Sequence, residues 1–116
     1  MELSVASLQE AGAFTGAPVE KEIKWKQDGK EMVATAYVRK LSYRSAVADT
    51  KQIGKDVVAG RIASCICDKK GMPVFTVADI TGDDNIERGP LNHELTIALL
   101  CAIAEVNGYT EKKTKA

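Results

Sequence analysis

The stretch Val19-Glu20-Lys21-Glu22-Ile23-Lys24-Trp25-Lys26-Gln27-Asp28-Gly29-Lys30-Glu31-Met32-Val33-Ala34-Thr35-Ala36-Tyr37-Val38 holds two alternating runs joined by Asp-Gly. Asp28-Gly29 is the dipeptide that most readily supplies the two positive φ angles of a type I′ turn, and a two-residue loop fixes the register of the strands it joins. With that pair at the tip, Trp25 falls opposite Met32, Ile23 opposite Ala34, Lys21 opposite Ala36 and Val19 opposite Val38. One face of this hairpin is apolar nearly throughout. On the other, Lys24 meets Val33, Glu22 meets Thr35 and Glu20 meets Tyr37, a mixed and half-wet surface.

Outward from the hairpin the pattern turns helical. Upstream, Leu3, Ala6 or Ser7, and Leu8 sit at helical spacing within residues 3–11, and Gly12 and Gly16-Ala17-Pro18 stop them. This weak helix either docks on the core or stays mobile until a partner arrives. Downstream, Ser42 is suited to cap a helix from Tyr43 to about Gln52. After Gly54, Val58, Ile62 and Ile66 recur every four residues, which predicts a helix to about Cys67. A strand over Ile62–Cys67 is the competing reading, because Ile-Ala-Ser-Cys-Ile-Cys also suits a buried extended segment. Asp68-Lys69-Lys70-Gly71 reads as a turn, and Pro73 holds Met72 extended. Thr76 then caps a short helix from Val77 to about Ile80, with Asp79 in its first turn. Pro90 at a first helical position predicts a last helix running to Val106 and stopping at Asn107-Gly108. Its stripe, Leu91, Leu95, Ala98 or Leu99, Ala102 and Val106, is widened by Ile97, Leu100 and Ile103. Such a width implies deep burial, or burial partly in another subunit.

These elements predict an α+β fold in which a small antiparallel hairpin or sheet packs against three to four helices. At 116 residues the chain fits one domain, expected over residues 19–108. Residues 1–18 are a flanking segment, a weak helix or flexible, and residues 109–116, with no apolar repeat, a mobile basic tail.

The 45% apolar and 28% charged residues match a globular chain and argue against a disordered or a membrane chain. The longest apolar stretch, Leu95 to Ala104, is far short of the roughly 20 residues a bilayer span needs. The first charges are Glu2 and Glu10, so the positive n-region of a secretory signal is missing and a cytoplasmic location is expected. Sixteen basic and sixteen acidic residues cancel overall. They divide unevenly, with ten Lys/Arg against six Asp/Glu over residues 20–61 and three against seven over residues 62–108. That division either favours complementary contacts with another chain, a second copy included, or places opposite charges side by side on one solvated surface.

Residues that carry chemistry are few. Cys65, Cys67 and Cys101 contain no CxxC pair and are expected as buried reduced thiols. His93 is the only histidine and lies in the first turn of the last helix, beside Glu94, without a converging set of catalytic groups. Asp79, Asp83, Asp84 and Glu87 lack the spacing of a calcium-binding EF-hand loop and read as a solvated loop. Phosphate-loop, GxGxxG and GxSxG motifs are absent. Lys21, Lys24, Lys26 and Lys30 are interleaved with Glu20, Glu22, Asp28 and Glu31, which argues against a nucleic-acid face. The expectation is therefore no catalytic residue, no cofactor and no metal.

The pattern Cys67-Asp68-x-x-Gly71-x-x-Val74-Phe75-Thr76-x-x-Asp79-Ile80, followed by a helix ending Glu105-Val106-Asn107-Gly108, resembles the second half of the tail assembly chaperones of long-tailed, siphophage-type bacteriophages. Val38-Arg39-Lys40-Leu41-Ser42 is similar to the link in such proteins between a hairpin and the first helix. In its own right, Asp68 with Gly71 sets a turn, Phe75 plugs the core, and Thr76 with Asp79 starts a helix. The resemblance implies a non-enzymatic protein that binds the long, largely helical tape measure protein. It implies that the client stays soluble in the host cytoplasm until tail tube subunits polymerise around it, and that the chaperone is missing from the mature virion. It further implies ribosomal frameshifting near the end of the short product, for which Lys112-Lys113 can supply an A-rich run. A minor structural component of the tail, or a small regulatory domain using Cys65, Cys67 or His93, are the competing readings.

Overall fold

A computed structural model describes residues 2–44, 46 and 56–108. The hairpin forms as its sequence dictates. β1 (Val19–Gln27) pairs with β2 (Lys30–Val38) in the register set by the turn, Trp25 opposite Met32 and Val19 opposite Val38. Asp28 and Gly29 take φ of 52° and 78°, the two left-handed residues a type I′ turn requires. Along β1 burial alternates strictly, with even-numbered residues exposed and odd-numbered ones turned inward.

Four named helices accompany the hairpin among the described residues: α1 (Val5–Glu10), α2 (Val57–Cys65), α3 (Val77–Thr81) and α4 (His93–Val106). The α+β architecture agrees with the sequence. α4 lies on β1 and runs antiparallel to it: Lys21 Nζ meets Glu105 Oε2 at 2.8 Å at one end, while Glu94 sits near Lys24 and Trp25 at the other. Leu99, Ala102 and Ile103 of α4 close over Ile23 and Val38, and Ile62 and Cys65 of α2 complete the core with Ile66 just beyond it. Asn107 caps α4 and binds it to the end of β2, its Oδ1 accepting from the Leu41 amide at 2.7 Å and its Nδ2 donating to the Ile103 carbonyl at 2.8 Å.

The structure corrects two boundaries. The helix expected to reach Cys67 ends at Cys65, because Ile66 turns extended (φ −88°, ψ 122°) and Ile66–Cys67 form β3, antiparallel to Val38 and Tyr37. The free edge of β2 offers these two residues hydrogen bonds that another half turn of helix could not match, and the Arg39 amide adds one to the Cys65 carbonyl at 2.8 Å. The sheet order is β1-β2-β3. The second correction concerns Pro90, which does not open α4. The Leu91 amide donates to the Ile80 carbonyl at 3.0 Å, holding residues 89–91 against α3, so the helix begins at His93 with Asn92 as cap. Asn92 Oδ1 accepts from the Leu95 amide at 3.0 Å.

The turn after β3 follows the sequence. Asp68 Oδ1 accepts from the amides of Lys70 and Met72 at 2.8 and 3.0 Å, and Gly71 takes φ of 89°. α3 opens on a reciprocal capping box, with the Asp79 amide to Thr76 Oγ1 at 3.1 Å and the Thr76 amide to Asp79 Oδ2 at 2.9 Å. At Gly82 (φ 90°) a Cβ would sit 2.6 Å from the Pro90 nitrogen, so this close approach admits only glycine.

α1 is capped by Ser4 and buries none of its residues, with Leu3 and Val5 exposed. Of the helix expected from Tyr43 to Gln52, Tyr43, Arg44 and Ala46 are helical, and the Arg44 amide donates to Ser42 Oγ at 3.2 Å. The remainder of that helix, and the expected tail over residues 109–116, lie outside the described residues.

Three outcomes follow from these contacts. Gly82→Ala forces a side chain into backbone at a left-handed position and is expected to lower stability by about 2–4 kcal/mol in urea denaturation. Ile62→Ala, at a fully buried site, is expected to cost about 2–5 kcal/mol in the same measurement. The Asp79 carboxyl is held below its ordinary value of 3.8 by the Thr76 amide first and the Arg88 guanidinium second. Its contribution is therefore complete above about pH 4 and fades as pH falls through the lower folded value, so the stability gap between the wild type and Asp79→Ala should narrow on acidification.

Candidate binding groove

An open cavity of about 300 Å³ lies where the inner face of the sheet runs out from under α4. It exists because α4 covers β1 and leaves the middle of β2 bare. Ile23 is buried beneath the helix, whereas Ala34, its cross-strand partner, is exposed. The two small residues Ala34 and Ala36 make the floor. Trp25, Leu95 and Leu99 stand along one wall, and Phe75 and Val74 along the other.

Each wall is fixed by the fold. Trp25 is half-buried and lines the groove, its indole Nε1 donating to Gln27 Oε1 at 3.2 Å. Phe75 packs against the core without being enclosed by it, which modifies the expectation that it plugs the interior. The Phe75 wall hangs from the Asp68–Met72 turn, which returns to β3 through the Asp68 amide to the Met72 carbonyl at 2.9 Å and the Cys67–Pro73 bridge. Arg39 braces that turn by donating to the Gly71 carbonyl. Met72 and Val74, 61% and 53% exposed, extend the apolar surface beyond the groove's rim. A flexible thioether beside two aromatic walls suits a surface that accommodates varied apolar side chains.

The groove has an apolar floor and a polar margin at Asp68 and Lys69, while Glu94 shares a neighbouring recess with Trp25. Cys67 is the one thiol that lines it. Burial, followed by the nearby Asp68 charge, pushes that thiol above its ordinary value against the pull of Arg39, so it stays protonated at neutral pH. Its Sγ donates to the Tyr37 carbonyl at 3.5 Å. Nothing in this arrangement activates a nucleophile; what it can do is bury apolar side chains of another chain.

The other residues weighed from sequence lie elsewhere. His93 is exposed at the first position of α4, and its side chain makes no hydrogen bond among the described residues. Cys65 is buried with Cys67, but Cys101 is exposed, against the expectation that all three thiols are buried. α4 turns it away from the core because Leu99, Ala102 and Ile103 occupy the inward face. Around α3, Arg88 bridges Asp79 at 3.1 Å and Asp84 at 3.7 Å, and Thr81 Oγ1 donates to Asp83 Oδ2 at 3.0 Å. Those acidic residues are thus held by a cation and a hydroxyl. Among the described residues no group of three or more His, Cys, Asp and Glu side chains is placed to hold a metal ion, and no helix is long and apolar enough to cross a membrane.

The nearly continuous apolar face of the hairpin does not by itself mark the groove in the sequence. The signal that was available is the pair of alanines at positions 34 and 36, too small to fill the space opposite a helix seated on β1.

Comparison with curated proteins and with solved structures gives no match. A family model described as phage tail assembly chaperone, TAC, matches residues 6–107 and so takes in α1 but for its first residue, the hairpin, both walls of the groove and the whole of α4. With that span of the 116 residues accounted for, the chain belongs to the phage tail assembly chaperone family.

Proposed function

We propose that this chaperone binds the tape measure protein of its phage and keeps it soluble in the host cytoplasm while the tail is built, with the groove over Ala34 and Ala36 as the client site. The single observation behind this reading is an apolar groove left open between Trp25 and Phe75 on an otherwise well-filled core. A long helical client exposes apolar residues at i, i+3, i+4 and i+7 until the tube surrounds it. An open apolar trough is the shape that shields such a stripe. The margins carry both signs of charge, in keeping with a client whose stripe is flanked by mixed polar residues.

Residues 19–108 form the binding unit in this reading and residues 1–18 an appended segment. Tail tube subunits displace the chaperone as they polymerise, which leaves it out of the finished particle. Slippage at Lys112-Lys113 would generate the longer product, and the nucleotide sequence there decides that point: without a slippery heptamer and an overlapping frame it is discarded.

The test is co-expression with the tape measure protein of the same genome. The wild type should raise the soluble fraction of the client and co-purify with it. Ala34→Glu, a charge placed on the exposed floor, should weaken that association at least about tenfold while leaving the circular dichroism spectrum unchanged. Failure of the wild type to solubilise or retain the client overturns the proposal, as does the chain's appearance in purified virions at tail stoichiometry.

A further inference from the structure

β1 is an edge strand, since the sheet order is β1-β2-β3. Because the two-residue turn makes Gln27–Lys30 the closing hydrogen-bonded pair, the amides and carbonyls of Glu20, Glu22, Lys24 and Lys26 point away from β2. Among the described residues no backbone group pairs with them. The edge is nine residues long and lacks the proline or bulge that commonly protects such an edge.

The side chains along it are ordered by sign. On the outer face they read Glu20, Glu22, Lys24, Lys26, two acids followed by two bases. An antiparallel partner strand with the same sequence, related by a two-fold axis through Ile23, would set Glu20 against Lys26, Glu22 against Lys24, and the reverse on the other side. All four positions then face an opposite charge. A shift by one residue pairs outward-pointing backbone groups with inward-pointing ones. A shift by two residues either way sets Glu22 against Glu22 or Lys24 against Lys24. The register centred on Ile23 is also the one in which Val19 meets Gln27 and the two strands overlap over their full length. Charge pattern, hydrogen-bonding parity and strand length therefore select a single alignment.

A second feature lies under the same axis. α4 runs beneath β1, and Cys101 shares a surface recess with Lys21, Ile23 and Lys24. Ile97, one turn before Cys101 on the helix, is 46% exposed. A two-fold at Ile23 turns the two copies of this strip toward each other on the helical side of a continuous six-stranded sheet.

We propose that the chain forms a two-fold dimer by antiparallel pairing of β1 with β1 of a second copy, in the register that places Glu22 opposite Lys24. This inference does not rest on the client groove, which opens on the inner face of β2. Ala34→Glu should leave the dimer intact, so the two readings fail separately.

Sedimentation velocity over a range of protein and salt concentrations tests it. The wild type should dimerise, less tightly as salt rises. Glu22→Lys and Lys24→Glu, both exposed and each creating two like-charge pairs, should separately weaken dimerisation at least about tenfold. The double variant E22K/K24E should recover it, and an equimolar mixture of the two single variants should form the mixed dimer. Lys24→Pro, which removes an outward amide without touching the β1–β2 ladder, should yield a folded monomer. A wild type that stays monomeric throughout overturns the proposal, and the charges then serve to keep other strands off the edge. A dimer equally tight in E22K overturns it as well, by placing the contact on another surface.

Discussion

The antiparallel contact of Ile66–Cys67 with Tyr37–Val38 joins the two halves of this chain, and most of the buried volume lies beside it. Val38, Ile62, Cys65, Ile66 and Cys67 are the largest fully enclosed side chains, and all lie within or next to that contact. A hairpin alone is marginal in water, and a nine-residue helix alone does not persist. Two residues of strand at the end of α2 give the hairpin a third partner and set α2 against its inner face. The position of α3, and through it the start of α4, then follows from the turn that leaves Cys67.

How much of this is legible in the sequence depends on whether a rule is local. The hairpin register follows from Asp28-Gly29 because turn geometry acts over two residues, and the Thr76–Asp79 box acts over four. Both were readable to the residue. Ile66–Cys67 were not, since their helical spacing with Val58 and Ile62 is genuine and is overruled only by an edge some thirty residues upstream in sequence. Pro90 misled for a similar reason. Its ring suits a helix start, but Gly82 lets the backbone at residues 89–90 come so close that the Leu91 amide is taken by Ile80. In both places a long-range hydrogen bond outweighs a local preference of a kcal/mol or less.

The groove was harder still to foresee. A period-two pattern says which side chains share a face, and it says nothing about which part of that face a helix will cover. α4 is drawn to β1 by Ile23 and the Lys21–Glu105 pair, and the space over Ala34 is what remains. Left open in this way, the site can accept apolar side chains from another chain. Apolar contact over a small open trough holds a chain without holding it tightly.

The far side of the sheet ends differently. β3 is two residues long, and Pro73, which has no amide to offer, bridges to Cys67 just beyond it. The sheet therefore has a valence of one: a strand can be added next to β1, and the opposite border terminates growth. Such a sheet can accept a single neighbour along β1 without seeding a fibre.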